Sequence, residues 1–169
     1  MIDDAILAAA ALARQFEGFY SRPYLCPAGV PTIGYGSTYY EDGIRVTLAD
    51  PAIARVRAER LLAYELRRVC LPAVIRYCPS LDTAERVAAI VDFTFNLGSG
   101  SLKISTLRRR LNAKQWSDAC AELAKWNKGG GRVLTGLAKR RAAEAALLSS
   151  DRTFQFSYLP VKVERNCKR

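Results

Sequence analysis

The sequence predicts an α+β fold, mainly helical, in which a small β-sheet lobe is joined by a long helix to a helical lobe. Three observations predict it. Residues 18–47 hold Gly18, Gly29, Gly34, Gly36 and Gly43 with Pro23, Pro27 and Pro31, interleaved with Tyr, Val, Ile and Thr. That is the texture of short strands and tight turns. On both sides of this stretch the apolar residues recur near the 3.6-residue period of a helix. At 169 residues, half of them apolar, the chain is long enough for one domain with a shared core.

A first helix is expected from an N-cap at Asp3 or Asp4 to about Phe16, on good helix formers. The glycine-rich stretch then reads as a small antiparallel sheet. Asp50 is the expected N-cap of the next helix, with Pro51 at its first position. Ile53, Val56, Leu61, Leu62, Leu66 and Val69 form its apolar face, and Pro72 is expected to end or kink it. Asp82-Thr83-Ala84-Glu85 has capping-box spacing. The apolar stripe Val87, Ile90, Val91 and Phe95 comes next, ending near Gly98. Shorter helices are expected at 102–112 and 115–126. Gly129, Gly130 and Gly131 break the chain, and a last major helix covers 135–149. The tail 151–169 has no clear period and is expected to fold back over the body. As one domain, 14–50 forms the small lobe and 51–78 the connecting helix. Residues 79–169 with the N-terminal helix form the helical lobe.

Histidine is absent. This removes Ser-His-Asp and Cys-His nucleophile pairs and imidazole-based zinc sites. No cofactor or metal is expected. The net charge is +10, unevenly placed: residues 1–60 carry 6 Lys/Arg against 7 Asp/Glu, and residues 61–169 carry 20 against 9. Such asymmetry favours a polyanionic partner, but charge alone does not choose among nucleic acid, membrane and wall polymers. No nucleic-acid-binding module is recognisable, so no specific nucleic-acid partner is expected. Cys26, Cys70, Cys78, Cys120 and Cys167 are odd in number and form no C-x-x-C, so no disulfide framework is expected. No apolar run approaches the ~20 residues of a membrane span. Ala5–Ala13 is preceded by Asp3 and Asp4 rather than Lys or Arg, which makes it a poor secretory signal.

Glu17 ends an apolar helix where the chain enters the glycine-rich sheet. A carboxyl there, partly desolvated against Phe16 or Tyr24, is a candidate general acid. Cys26 and Thr32, from the next two strands, are placed to face it across a cleft.

The segment EGFYSRPYLCPAGVPTIGYGST resembles the catalytic region of the phage lysozymes, or endolysins, of glycoside hydrolase family 24. That family is marked by a Glu, eight residues, an Asp or Cys, five residues and a Thr; Glu17, Cys26 and Thr32 have this spacing. The resemblance continues through Phe93–Gly98, Ser105–Leu107 and Trp126 to Glu144, and so covers about residues 10–150. It implies a lysozyme-like fold and hydrolysis of the β-1,4 bond between N-acetylmuramic acid and N-acetylglucosamine in peptidoglycan.

The resemblance further implies that Glu17 is the acid, that Thr32 places the water, and that Cys26 supports the water or the developing charge. Cys26 stands where Asp is commoner. It is open as a thiolate base, a nucleophile or a polar wall, and Arg140 or Arg141 is its expected cationic partner. The same two arginines, on a helix that the family folds behind the acid, are candidates to orient Glu17. Tyr24, Tyr35, Gly36 and Asn96 are the candidate substrate contacts, with a place in the core as the alternative for the aromatics and a helix-end role for Asn96. A lytic transglycosylase is the second enzymatic reading, and a cationic nucleic-acid or membrane binder the third. The expected partner is bacterial peptidoglycan, with anionic outer-membrane or wall polymers as further ones, met by a monomer. The setting implied is phage-driven lysis: synthesis in the host cytoplasm and release to the wall through a holin-type lesion.

Overall fold

A computed structural model describes residues 1–26 and 28–150. The expectation for the tail, and Cys167 with it, lies outside the described residues.

Helix α1 (Ile2–Glu17) buries Ala5, Ile6, Ala9, Ala10, Leu12 and Ala13, mostly small residues that let it pack closely. Its N-cap is Met1 rather than Asp3 or Asp4. Both aspartates fall in the first turn, where the helix dipole favours negative charge, and Asp3 pairs with Arg67. Strands β1 (Tyr20–Leu25) and β2 (Pro31–Gly34) form an antiparallel pair that sets Tyr24 opposite Thr32. The pairing is irregular between Tyr20 and Tyr24. Gly34 adopts φ 69°, and a Cβ there would stand 3.0 Å from that of Ala58, so its lack of a side chain lets the next helix lie against the strand.

The connecting helix starts later than expected. Asp50 does not cap it: its carboxylate accepts from Thr47 N and Oγ1 and from the Tyr40 hydroxyl, at 2.6–2.9 Å. With Asp50 thus used to close a turn, α2 begins at Arg55 and runs to Glu65. It passes directly into a π-helical turn, Leu66–Cys70, and then into α3 (Leu71–Tyr77). Pro72 therefore does not end the helix. It lies in the first turn of α3, where its missing N–H matters least. The extra residue of the π turn rotates α3 relative to α2, with Cys70 buried and Val69 exposed at the junction.

Helix α4 (Ala84–Ile104) is the central element, buried without a break from Glu85 to Thr94. Its N-cap is Thr83, whose hydroxyl accepts from Arg86 N at 3.2 Å; Asp82, the expected cap, instead accepts from Arg86 Nη1 at 2.7 Å. Thr83→Ala is expected to cost about 1 kcal/mol, read as a lower urea midpoint with unchanged slope; an unchanged midpoint refutes the cap. Gly98, at φ 82°, interrupts α4 as expected. Helix α5 is Thr106–Asn112, capped by Ser105, so residues 102–104 belong to the preceding element. Helix α6 is Trp116–Ala124. The glycine run forms a hairpin of β3 (Lys128–Gly129) and β4 (Arg132–Val133), and α7 spans Thr135–Leu148. Helices α1, α3 and α7 pack on α4, and α7 also meets α6. No helix among the described residues is long and apolar enough to cross a membrane.

Candidate active site

Glu17 is the last residue of α1, and Gly18, at φ 71°, turns the chain away from the helix beneath it. Its Oε1 accepts from Arg140 Nη1 at 2.5 Å. Arg140 in turn grips Asp92 with two parallel bonds, Nε to Oδ2 and Nη2 to Oδ1, both 2.8 Å. The guanidinium lies over the rings of Phe16 and Phe95, at 5.6 and 5.8 Å. Arg140 is 3% exposed and Asp92 not at all. Burial alone opposes the charge on Arg140, but the bonds from Asp92 and then Glu17 outweigh it and hold the group firmly protonated. One buried cation thus fixes the direction of the Glu17 carboxyl and joins α1, α4 and α7.

The other oxygen of Glu17 lies beside Gly36. A Cβ at that position would stand 3.7 Å from Oε2 and 3.6 Å from Phe95, and the φ of 100° is one that L side chains rarely adopt. Gly36 therefore forms a side-chain-free wall of the acid's niche.

Thr32 and Cys26 come together at the end of the β1–β2 hairpin. Thr32 donates to Val30 O at 2.9 Å. Cys26 N donates to Val30 O at 3.0 Å, and the turn closes with Gly29 N on Cys26 O at 2.8 Å. The backbone N–H groups of Val30 and then Ala28 lower the pKa of the Cys26 thiol, and the Thr32 hydroxyl adds to this. The expected cationic partner is not used: Arg140 is occupied by Glu17 and Asp92. Burial first, and then the nearby Tyr20, Glu17 and Cys26, push the Tyr24 phenol up.

Other expectations need correction. Arg141 does not touch Glu17; its Nη2 bonds Glu144 at 2.6 Å and Asn96 Oδ1 at 2.9 Å. Successive helix residues point about 100° apart, so with Arg140 on the acid Arg141 turns elsewhere. Asn96 spends its oxygen on that arginine. Tyr35 is 2% exposed, packs on Phe19 at 5.6 Å and accepts from Arg55 Nη1, so its ring is core rather than a sugar platform. Trp126 packs edge-on against Phe93. Tyr24 remains at the surface of the hairpin, half-buried and 4.3 Å from the Tyr20 ring.

Two charged residues escape a reading of the sequence. Asp92 is a carboxylate inside the apolar stripe of α4, and that misplacement is its signal. Glu65 sits likewise between the buried Leu62 and Leu66. The described cysteines are unpaired, and burial pushes the thiols of Cys70 and Cys78 up to about 12. Among the described residues no group of three His, Cys, Asp or Glu is placed to hold a metal ion.

Comparison with known proteins agrees with this fold. The family model described as phage lysozyme matches residues 14–144. An endolysin of Bacillus phage B103 is 36% identical over 141 residues, which cover 80% of this chain and 50% of that protein. An endolysin of Acyrthosiphon pisum secondary endosymbiont phage 1 is 34% identical over 143 residues, 82% of this chain and 93% of that protein. The chain therefore spans half the length of the first relative and nearly all of the second. Among solved structures, the endolysin from Escherichia coli O157:H7 phage FAHEc1 superposes with a TM-score of 0.76 at 27% identity, covering 88% of this chain and 94% of that one.

Proposed function

Because the chain belongs to the phage lysozyme family, we propose that it is an endolysin that hydrolyses the β-1,4 bond between N-acetylmuramic acid and N-acetylglucosamine in bacterial peptidoglycan. What supports this reading is the Glu17–Arg140–Asp92 chain, which holds one carboxyl at the end of α1, where the chain enters the hairpin that bears Thr32 and Cys26. Glu17 passes its proton to the glycosidic oxygen as the bond breaks. The Thr32 hydroxyl orients the water. Cys26 acts as the base: its thiolate, favoured by the turn amides, takes the proton that the water loses as its oxygen bonds the anomeric carbon. One water is consumed, and the sugar configuration inverts. Tyr24 and the backbone at Gly36 bound the site where the sugars lie.

The setting that fits is lysis of a bacterial host. The protein is made in the host cytoplasm and reaches the wall after a holin-type lesion. It acts as a monomer, and its basic helices are drawn to anionic outer-membrane or wall polymers.

Digestion of purified peptidoglycan with mass analysis of the fragments tests the reading. Hydrated muramic-acid ends support it; anhydro ends, lighter by one water, make the protein a lytic transglycosylase, and no cleavage returns it to the cationic binders. In the same assay Cys26→Ser is expected to lower the rate by about 10²-fold, with Cys26→Asp retaining more activity than Cys26→Ser. A rate unchanged in Cys26→Ser reduces the thiol to a spacer.

A further inference from the structure

Next to the niche of Glu17 the helical lobe carries a carboxamide held in one orientation. Asn96 follows Phe95 on α4, and the Phe95 ring reaches to 3.6 Å from where a Cβ at Gly36 would stand, on the wall of that niche. Asn96 Oδ1 accepts from Arg141 Nη2 at 2.9 Å. A guanidinium only donates, so the atom that meets it is the oxygen, and the amide nitrogen lies on the other branch of the side chain. Among the described residues Asn96 Nδ2 meets no acceptor, and it is open to solvent rather than buried.

Arg141 is itself fixed. It is 1% exposed, its Nη2 also bonds the fully buried Glu144 at 2.6 Å, and its guanidinium lies over the Phe93 ring at 5.2 Å. Phe93 stands three residues before Asn96, hence beside it on the helix surface, and Trp126 backs it edge-on at 5.4 Å. A flip of the Asn96 amide would set its NH2 against the guanidinium and cost Arg141 an acceptor inside the lobe, so one orientation is held. On the outer side there is room. Gly98 interrupts α4 just beyond Asn96, and nothing stands within 4 Å of a Cβ built at Gly98 or Gly100.

We propose that Asn96 determines specificity for N-acetylated sugars: its Nδ2 donates to the carbonyl oxygen of an acetamido group on the substrate, and Arg141 is the positioning residue that aims it. The proposal rests on the reading of Glu17 as the acid. The acetamido nitrogen is bonded to the ring carbon next to the anomeric one, so with the glycosidic oxygen at Glu17 this group lies against a wall of the niche. Gly36 has no side chain to offer a donor there, and Arg140 spends its donors on Glu17 and Asp92. Asn96, beside Phe95, offers a neutral N–H that no protein group uses. A neutral donor suits an uncharged amide carbonyl. A sugar whose nitrogen is a free amine brings no acceptor and sets an ammonium against the NH2, so the site rejects it.

The test compares the wild type with Asn96→Asp on intact peptidoglycan, on de-N-acetylated peptidoglycan, and on glycan strands stripped of their stem peptides by an amidase. Aspartate keeps the oxygen for Arg141 and removes the donor, so the thermal midpoint should not fall. Enough salt is added to screen long-range attraction of the free amines. At limiting substrate the wild-type rate is expected to exceed that of Asn96→Asp about three- to tenfold on intact peptidoglycan, the effect of one hydrogen bond. The ratio should be as large on stripped strands and near or below one on de-N-acetylated peptidoglycan. Any effect of the new carboxylate on Glu17 acts on all the substrates alike and cancels in the comparison. Arg141→Lys, whose amine cannot fork between Asn96 and Glu144 in the same way, should show the same pattern to a smaller degree; a loss equal on every substrate makes Arg141 structural only. An equal ratio on every substrate for Asn96→Asp overturns the proposal. So does a loss that vanishes on stripped strands, which assigns the donor to a stem-peptide carbonyl. A wild type that cleaves intact and de-N-acetylated peptidoglycan equally well overturns it whatever the variants do. If Glu17→Gln cleaves at the wild-type rate, the role of Glu17 fails first; if it is inactive while the Asn96→Asp ratio is flat, only the inference about Asn96 fails.

Discussion

Glu17→Gln is expected to lower the rate of peptidoglycan clearing by about 10²- to 10⁴-fold, the contribution of a positioned general acid, with the fold intact. The amide matches the carboxyl in shape and has no proton to give the leaving oxygen. Its carbonyl oxygen can still accept from Arg140 Nη1, and the two bonds from Arg140 to Asp92 do not involve position 17 at all. The network that organises the three helices is thereby kept, and the thermal midpoint should move little. The substitution also removes one negative charge from a chain whose net charge is already +10. Binding or permeabilisation driven by charge should therefore persist or strengthen while cleavage collapses. That opposition makes the experiment decisive: clearing that survives Glu17→Gln would falsify the acid's role. The measurement is the initial rate on purified peptidoglycan, with a melting curve of the same preparation to show that the variant is folded.

The helices and the position of Glu17 at the end of the first one are legible in the sequence because each depends on residues near one another in the chain. Glu17 at the end of an alanine-rich helix, and Cys26 and Thr32 at fixed distances beyond it, fall within 16 residues, and two short strands bring Cys26 and Thr32 to one turn. The α7 helix is legible from its period and the glycine run before it. Legibility fails wherever a side chain has a choice of partner. Asp50 has the residue type and the neighbouring proline of an N-cap, but Thr47 and Tyr40 compete for its carboxylate. Arg140 and Arg141 are alike in sequence, and only the rotation of α7 against α1 decides which meets the acid. Asp92 lies 48 residues from its arginine. The two-residue strands around the glycine run are too short to have a period. A carboxylate in the middle of an apolar stripe is the one usable sign of these long-range pairs, since burying a charge demands a partner.

Arg140→Met is expected to destabilise the fold by about 3–5 kcal/mol, the cost of leaving a buried charge without its partner. Methionine replaces much of the stem's volume and keeps contact with the Phe16 and Phe95 rings, so the loss is chiefly electrostatic. It falls on Asp92, which is wholly buried and takes two bonds from the guanidinium. Glu17 loses its partner as well, but it can turn to water at the cleft. Adding Asp92→Asn to Arg140→Met should recover part of the loss, because an amide without a partner costs less to bury than a carboxylate. The single changes should then be far from additive, as expected of residues in one network. Urea denaturation of the two single variants and the double variant measures this. A loss under about 1 kcal/mol for Arg140→Met would place the pair among ion pairs of little net effect. A double variant as unstable as the sum of the singles would mean that Asp92 and Arg140 act separately. Recovery of stability in the double variant without recovery of clearing would separate the two tasks of Arg140: neutralising Asp92 holds the helices together, and the remaining donor on Glu17 serves the chemistry.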